Sequence, residues 1–67
     1  MDKYYVNNNV QSNGDYEVHK EGCAWMPTDD YTYLGMFSNC QDAVAKAKEY
    51  HYQVNGCYYC SNACHTS

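Results

Sequence analysis

The sequence predicts an α+β domain in which one helix packs on one face of a small antiparallel sheet. Three stretches with strand character come first, a single stretch of helical periodicity follows them, and a cysteine-rich tail ends the chain. A two-layer arrangement lets one helical stripe and one sheet face bury each other. Because 67 residues suffice for only one domain, we expect residues 1–67 to form a single unit of order β-β-β-α, with a candidate fourth strand in the tail.

The first two strands are predicted to form a hairpin. Residues 3–7 are rich in tyrosine and valine, which favours a strand. The dipeptide Asn13-Gly14 is typical of a turn, because both residues tolerate positive φ. In residues 15–20, apolar side chains alternate with charged ones and His19. This alternation predicts a half-buried strand with a solvated polar face.

The third strand is predicted over residues 31–37. Strict alternation would place Leu34 and Met36 on one face of the sheet. The opposite face would then carry three aromatic residues, Tyr31, Tyr33 and Phe37.

A helix is predicted to begin at Ser38. Ser38 and Gln41 have the spacing of a capping box, which satisfies two free amide groups at a helix start. Apolar residues then recur at helical spacing and form one stripe, Cys40, Ala43, Val44, Ala47 and Tyr50. The pair Asn55-Gly56 is expected to end this element, since both residues tolerate the left-handed conformation.

The core must be built largely from aromatic residues. The chain has nine tyrosines and five cysteines but only one leucine and no isoleucine. Tyrosine rings can fill a core while their hydroxyl groups reach partners or water. A domain of this size is only marginally stable without a cross-link, so the cysteines are candidates for that role.

Metal ligation is the strongest chemical signal in the chain. In Cys57-x2-Cys60 two thiolates can reach one tetrahedral ion from a tight turn, and Cys64 can add a third. We expect Cys23 to be the fourth ligand, with His19 as the alternative. A structural zinc at this site would tie the tail to the second strand and stabilise the fold.

Three other states of the cysteines remain open. Five cysteines can form at most two disulfides and leave one free, and the pairing cannot be read from the sequence. Alternatively, the thiols are simply buried as small apolar groups, and Cys40 on the helical stripe fits this best. Cys57 and Cys60 also match a redox dithiol, although such motifs usually open a helix.

The tyrosines suggest an interaction surface. Nine cannot all be interior, so several are expected on the sheet face opposite the helix, with Tyr4, Tyr16, Tyr31 and Tyr33 as candidates. Tyrosine is enriched at protein interfaces, which favours a protein partner or a homodimer. The alternative is that tyrosine, a good strand former, is present as ordinary half-exposed residues.

Composition argues against several classes of function. Acidic residues outnumber basic ones and the net charge is −4, so nucleic acid is not an expected partner. No apolar run is long enough to span a membrane. The N-terminus lacks the apolar region of a secretion signal, so we expect a cytoplasmic protein. Neither a nucleophile motif nor a phosphate-binding loop is present, so we expect no enzymatic activity.

Four stretches resemble a group of very small bacterial proteins of unknown function. They are Asn13-Gly14-Asp15-Tyr16-Glu17-Val18-His19, Tyr33-Leu34-Gly35, Gly56-Cys57-Tyr58-Tyr59-Cys60 and Cys64-His65-Thr66-Ser67. The resemblance covers most of the chain and implies a complete, free-standing protein. It implies no activity or ligand.

Two functions follow as expectations. The first is a non-enzymatic binding module, cross-linked by its cysteine-rich tail, that contacts another protein or a second copy through the tyrosines. The second is a thiol-redox or metal-handling protein in which Cys57, Cys60 and Cys64 are functional rather than structural.

Overall fold

Four strands and one helix form the domain in the computed structural model, which describes residues 1–66. The strands are β1 (Asp2–Asn7), β2 (Tyr16–Lys20), β3 (Tyr31–Phe37) and β4 (Val54–Gly56). The helix α1 (Cys40–Ala47) contacts all four strands, and a short 3-10 helix covers Asn62–Cys64. The predicted α+β class, with a helix on one sheet face, is confirmed.

The sheet is mixed, with the strand order β3-β1-β2-β4. β1 pairs antiparallel with both β2 and β3, as the hairpin prediction requires. β4 instead pairs parallel with β2. The reason is the helical connection: α1 carries the chain across the sheet, so β4 runs in the same direction as β3, and therefore as β2.

A β-bulge interrupts the pairing of β1 with β3. Leu34 is an extra residue between the positions of β3 that pair with Tyr4 and Tyr5. Gly35 beside it has a φ of 122°, a conformation that favours glycine. The bulge shifts the alternation, so Phe37 packs with Leu34 against the core under the helix. The prediction that Phe37 shares a face with the tyrosines of this strand is therefore wrong.

The helix is shorter than the apolar stripe suggested. Its N-cap is Asn39, whose Oδ1 accepts a hydrogen bond from the Asp42 amide at 2.9 Å, rather than Ser38. It ends at Ala47, with Lys48 as the C-cap. Asn55-Gly56 lies in β4 and does not end the helix. None of the helices in residues 1–66 is both long and apolar enough to cross a lipid bilayer.

The core between the helix and the sheet includes a disulfide. Tyr4 is the one tyrosine of residues 1–66 that is buried there, among valine, leucine and alanine side chains, so the expectation of a core built largely from aromatic residues is wrong. Cys40 at the start of α1 is bonded to Cys64 in the 3-10 helix, across a separation of 24 residues. Cys40 is therefore not a free buried thiol, and the C-terminal segment is attached to the helix.

Candidate metal centre

The candidate centre lies on the sheet face opposite the helix. Val18 points into the core under the helix, so its neighbour His19 points to the other face. His19 is only 1% exposed, because residues from the loop after β2 and from the C-terminal tail cover it. The expectation of a solvated face at this position is therefore wrong for His19.

The tail reaches this face directly after β4. The Cys57 amide donates a hydrogen bond to the Val18 carbonyl oxygen at 2.9 Å, which holds the start of the tail against β2. The Ser61 amide then donates to the Cys57 carbonyl oxygen at 2.9 Å and closes a turn around Cys60. This turn brings both cysteine side chains toward His19.

A second segment arrives from the other side. Cys23 follows β2 in a turn in which its amide donates to the Lys20 carbonyl oxygen at 3.1 Å. The turn returns the Cys23 side chain toward the end of its own strand, where it meets Cys57. Three separate parts of the chain therefore meet at one point: a strand, the loop after it and the tail.

The four donor atoms lie close enough together to surround one ion, and two of the distances between them match a tetrahedral site. The candidate ligand atoms of His19, Cys23, Cys57 and Cys60 all lie within 4.8 Å of one another. The two thiol sulfurs of Cys23 and Cys57 are 3.9 Å apart, and Cys60 Sγ is 3.7 Å from His19 Nδ1. Zinc–sulfur and zinc–nitrogen bond lengths imply edges of about 3.8 Å and about 3.6 Å. The arrangement can therefore hold one metal ion.

Electrostatics at this centre favour a bound cation over reactive thiols. Burial, together with hydrogen bonds involving Cys23 and Cys57, raises the pKa of the Cys60 thiol to about 12. The Lys20 amide donates a hydrogen bond to Cys60 Sγ at 3.3 Å, and this hydrogen bond lowers the pKa of the Cys60 thiol. The positive charge of a bound metal ion would favour the thiolate form of Cys60 and offset the effect of burial.

His19 is oriented for ligation through Nδ1. Burial lowers its pKa, and the nearby Glu17 carboxylate opposes that shift. A neutral imidazole is the form that binds metal. Nε2 is buried without a hydrogen-bond partner among the described residues, although Glu17 Oε1 lies 3.5 Å from it. This is the arrangement in which a carboxylate orients a metal-binding histidine from the outer side.

The structure brings together most, but not all, of the predicted ligands. Cys23, Cys57 and Cys60 meet as predicted, and His19, the alternative fourth ligand, completes the group. Cys64 does not belong to it, because its sulfur is bonded to Cys40 on the helix side of the sheet. A disulfide sulfur carries no thiolate, so Cys64 as a metal ligand is corrected to His19.

The four candidate interface tyrosines do not form one surface. Tyr4 is buried under the helix, and Tyr16 is half-buried with its ring stacked on His51 at 3.8 Å. Tyr31 and Tyr33 are exposed on the opposite face, where both rings pack around Tyr5 at 5.4 and 5.3 Å. Only this smaller group, the tyrosine cluster of Tyr5, Tyr31 and Tyr33, remains as a candidate contact surface.

Sequence reasoning missed an aromatic group beside the centre. The Trp25 ring stacks on Tyr59 with the ring centres 4.8 Å apart, and Tyr58 meets Tyr59 edge-on at 5.1 Å. The available signal was position: Trp25 lies two residues after Cys23, and both tyrosines lie between Cys57 and Cys60. Because the ligands meet at one point, the aromatic residues next to them in the sequence also come close together.

Comparisons with known proteins add nothing to this description. No protein-family model, curated protein or solved structure matches the chain, so the resemblance to very small bacterial proteins stays a prediction.

Proposed function

We propose that this chain is a small zinc-binding module in which Cys23, Cys57, Cys60 and His19 hold one structural zinc ion. The observation that supports it most strongly is the convergence of these four donor atoms, from three separate segments, within 4.8 Å of one another. Three thiolates and one imidazole are a common ligand set for structural zinc. Softer thiolate donors select against calcium and magnesium, which prefer oxygen.

A structural role fits the number of ligands and their positions. Four protein ligands complete a tetrahedral shell and leave no open position for a substrate. The ion would join the end of β2, the loop after it and the tail, on the sheet face that α1 does not cover. A domain of 67 residues has a small core, so the free energy of metal binding would contribute directly to folding.

A thiol-redox role has less support. Reactive cysteines have a lowered thiol pKa, whereas burial raises the pKa of Cys60 to about 12. A metal-handling role differs from a structural one in how fast the bound ion exchanges. A carrier would release its ion to a chelator while staying folded, and the structural site would lose its ion only with the fold.

The first test is the metal and thiol content of freshly purified protein. Native mass spectrometry is expected to show one zinc ion per chain. Denaturation with a chelator and an alkylating agent, without reductant, is expected to label Cys23, Cys57 and Cys60 only. Protein that takes up no zinc after reduction and reloading would overturn the proposal. So would five labelled cysteines that bind no metal.

Matched variants separate the structural ligand set from the sequence-based one. In the cobalt-substituted protein, thiolate-to-cobalt charge-transfer absorption increases with the number of thiolate ligands, and three are expected. Cys57→Ser is expected to weaken this band, whereas His19→Ala, which removes no thiolate, is expected to weaken the affinity for cobalt but to leave the band of the loaded protein. The double variant Cys40→Ser/Cys64→Ser removes two cysteines but is expected to keep it. A weaker band in the double variant, together with a cobalt affinity that His19→Ala leaves unchanged, would restore Cys64 as the ligand.

Protein binding and location are the remaining parts of the proposal. The tyrosine cluster is the surface through which the module would contact a protein or a second copy, and oligomeric state by light scattering is its first test. A cytoplasmic location stays a prediction. The Cys40–Cys64 disulfide stands against it, since disulfides persist mainly in oxidising compartments.

A further inference from the structure

A pocket of about 260 Å³ opens beside the candidate metal centre. Its walls include Glu17 from β2, Trp25 from the loop after it, and Tyr58 and Tyr59 from the tail. Cys57 of the metal centre also lines it, so the pocket and the centre share the same converging segments. We call this feature the aromatic pocket.

The aromatic walls are more exposed than packing alone explains. Trp25 is 61% exposed, and Tyr58 and Tyr59 are also exposed, although all three rings contact one another or a neighbour. Trp25 and Tyr59 stack at an interplanar angle of 18°, so each ring has one face covered by the other and one face left for a ligand, and Tyr58 stands edge-on to Tyr59 at 90°. Contiguous exposed aromatic surface at a concave site is typical of a ligand-binding site.

The charge of the pocket is negative. Among its lining residues in the described chain, Glu17 is the one acidic side chain, and the lining contains no lysine. The whole chain carries a net charge of −4 and has no arginine. A carboxylate beside aromatic faces attracts a cation, because the faces of aromatic rings are themselves electronegative.

The size of the pocket limits the ligand. Pockets for drug-sized molecules usually enclose about 300–1,000 Å³. A pocket of about 260 Å³ therefore fits a single headgroup rather than an extended molecule. The polar side chains of Asn7 and Gln11 complete the lining and leave room for a polar substituent on that headgroup.

We propose that the aromatic pocket binds a quaternary ammonium group, carried either by a small molecule such as choline or by a trimethylated lysine side chain. The cation would lie against the rings of Trp25, Tyr58 and Tyr59, with the Glu17 carboxylate balancing its charge. The proposal rests on the metal-binding function in one respect: the loop and the tail that form the walls are the segments that zinc would hold together.

The sole tryptophan provides the assay. Trp25 lines the pocket, so its fluorescence in the zinc-loaded protein is expected to change saturably as choline is added. The matched ligand is 3,3-dimethylbutan-1-ol, which has the shape of choline without its charge. Choline is expected to bind at least about tenfold more tightly than this alcohol. Equal affinities, or no saturable change at millimolar choline, would overturn the proposal.

The source of the ammonium group is distinguished by a second titration. A short peptide carrying trimethyl-lysine is compared with the same peptide carrying unmodified lysine. Preferential binding of the trimethylated peptide, with an affinity above that of choline, would assign the pocket to a modified protein. Preferential binding of choline would assign it to a small molecule. Either result supports the proposal that the pocket binds a quaternary ammonium group. If neither choline nor the trimethylated peptide binds, the proposal is overturned.

Variants test the named side chains. Tyr59→Leu is expected to weaken choline binding roughly 3- to 30-fold, while Trp25 still reports it. Tyr52→Leu is the matched control, since Tyr52 is 90% exposed and outside the pocket, and it is expected to leave the affinity unchanged. Glu17→Gln is expected to weaken choline but not the neutral alcohol. Equal effects of Tyr59→Leu and Tyr52→Leu would overturn the assignment.

Zinc content measured on the same samples separates the two proposals. Protein that holds zinc but shows no preference for choline would overturn the pocket and leave the metal site intact. Protein without zinc that still prefers choline would support the pocket and count against the metal site.

Discussion

Replacing Cys40 and Cys64 together by alanine is expected to lower the free energy of unfolding by about 4.5 kcal/mol. The bond between them closes a loop with a sequence separation of 24 residues. Opening a loop of that length returns conformational entropy to the unfolded chain, which accounts for most of the loss. Removing the buried sulfur of Cys40 from the core adds about 1 kcal/mol. For a domain of this size, the sum corresponds to a fall in Tm of roughly 18–36 °C.

Urea unfolding of the zinc-loaded protein measures this loss directly. Circular dichroism and the fluorescence of Trp25 both follow unfolding, and coincident transitions by the two probes are the check that the domain unfolds as one unit. The single variant Cys40→Ala is expected to lose nearly as much as the double variant, because either substitution breaks the bond. A loss below about 1 kcal/mol in the double variant would refute the argument that this cross-link restricts the unfolded chain.

Three further substitutions test separate parts of the fold. Gly56→Ala is expected to cost about 3 kcal/mol, because the added Cβ would stand 2.6 Å from the Ser61 carbonyl oxygen. Asn39→Ala is expected to cost about 1 kcal/mol, and Ser38→Ala less than about 0.5 kcal/mol, because Asn39 caps the helix. Asp15→Ala is expected to cost about 2 kcal/mol, because it leaves side-chain donors in a buried network without their acceptor. Thermal or urea unfolding measures all three.

Each substitution has a matched control or a contradicting result. Gly22→Ala places its Cβ in open space and is expected to cost only the roughly 1 kcal/mol of a positive φ. Equal losses at the two glycines would show that the tail does not pack closely on β4. Asp29→Ala, in an exposed loop, is expected to be nearly neutral. If Ser38→Ala costs more than Asn39→Ala, the capping-box interpretation of the sequence is right.

The fold was predictable where local signals were strong. The Asn13-Gly14 turn and the alternation after it are properties of a few neighbouring residues, and the hairpin they predict is present. The strand at residues 31–37 has the predicted bounds. Its bulge was not predictable from alternation, because the extra residue shows only in the pairing with β1. β4 has only three residues and pairs with a strand distant in sequence, which leaves no local pattern.

The sequence predicted the chemistry of the candidate site, a group of metal-binding thiols, but not which four residues form it. The spacing of Cys57 and Cys60 predicted that their side chains can reach one ion. The same argument wrongly predicted Cys64 as a third ligand. Which face of the sheet a side chain reaches depends on the path of the chain around β4. That path sends Cys64 to the helix side and leaves the remaining position to the buried His19. Spacing along a sequence does not contain this information.

The sheet itself separates the two groups of cysteines, and this has a consequence for oxidative folding. In the unfolded chain each cysteine can form a disulfide with any of the four others. In the folded chain Cys40 and Cys64 meet on the helix side, while the other three thiols come together with His19 on the far side of the sheet. The correct pairing is therefore selected by folding before oxidation. Oxidant added to the denatured chain should yield scrambled isomers, and oxidant added after folding should yield a single one.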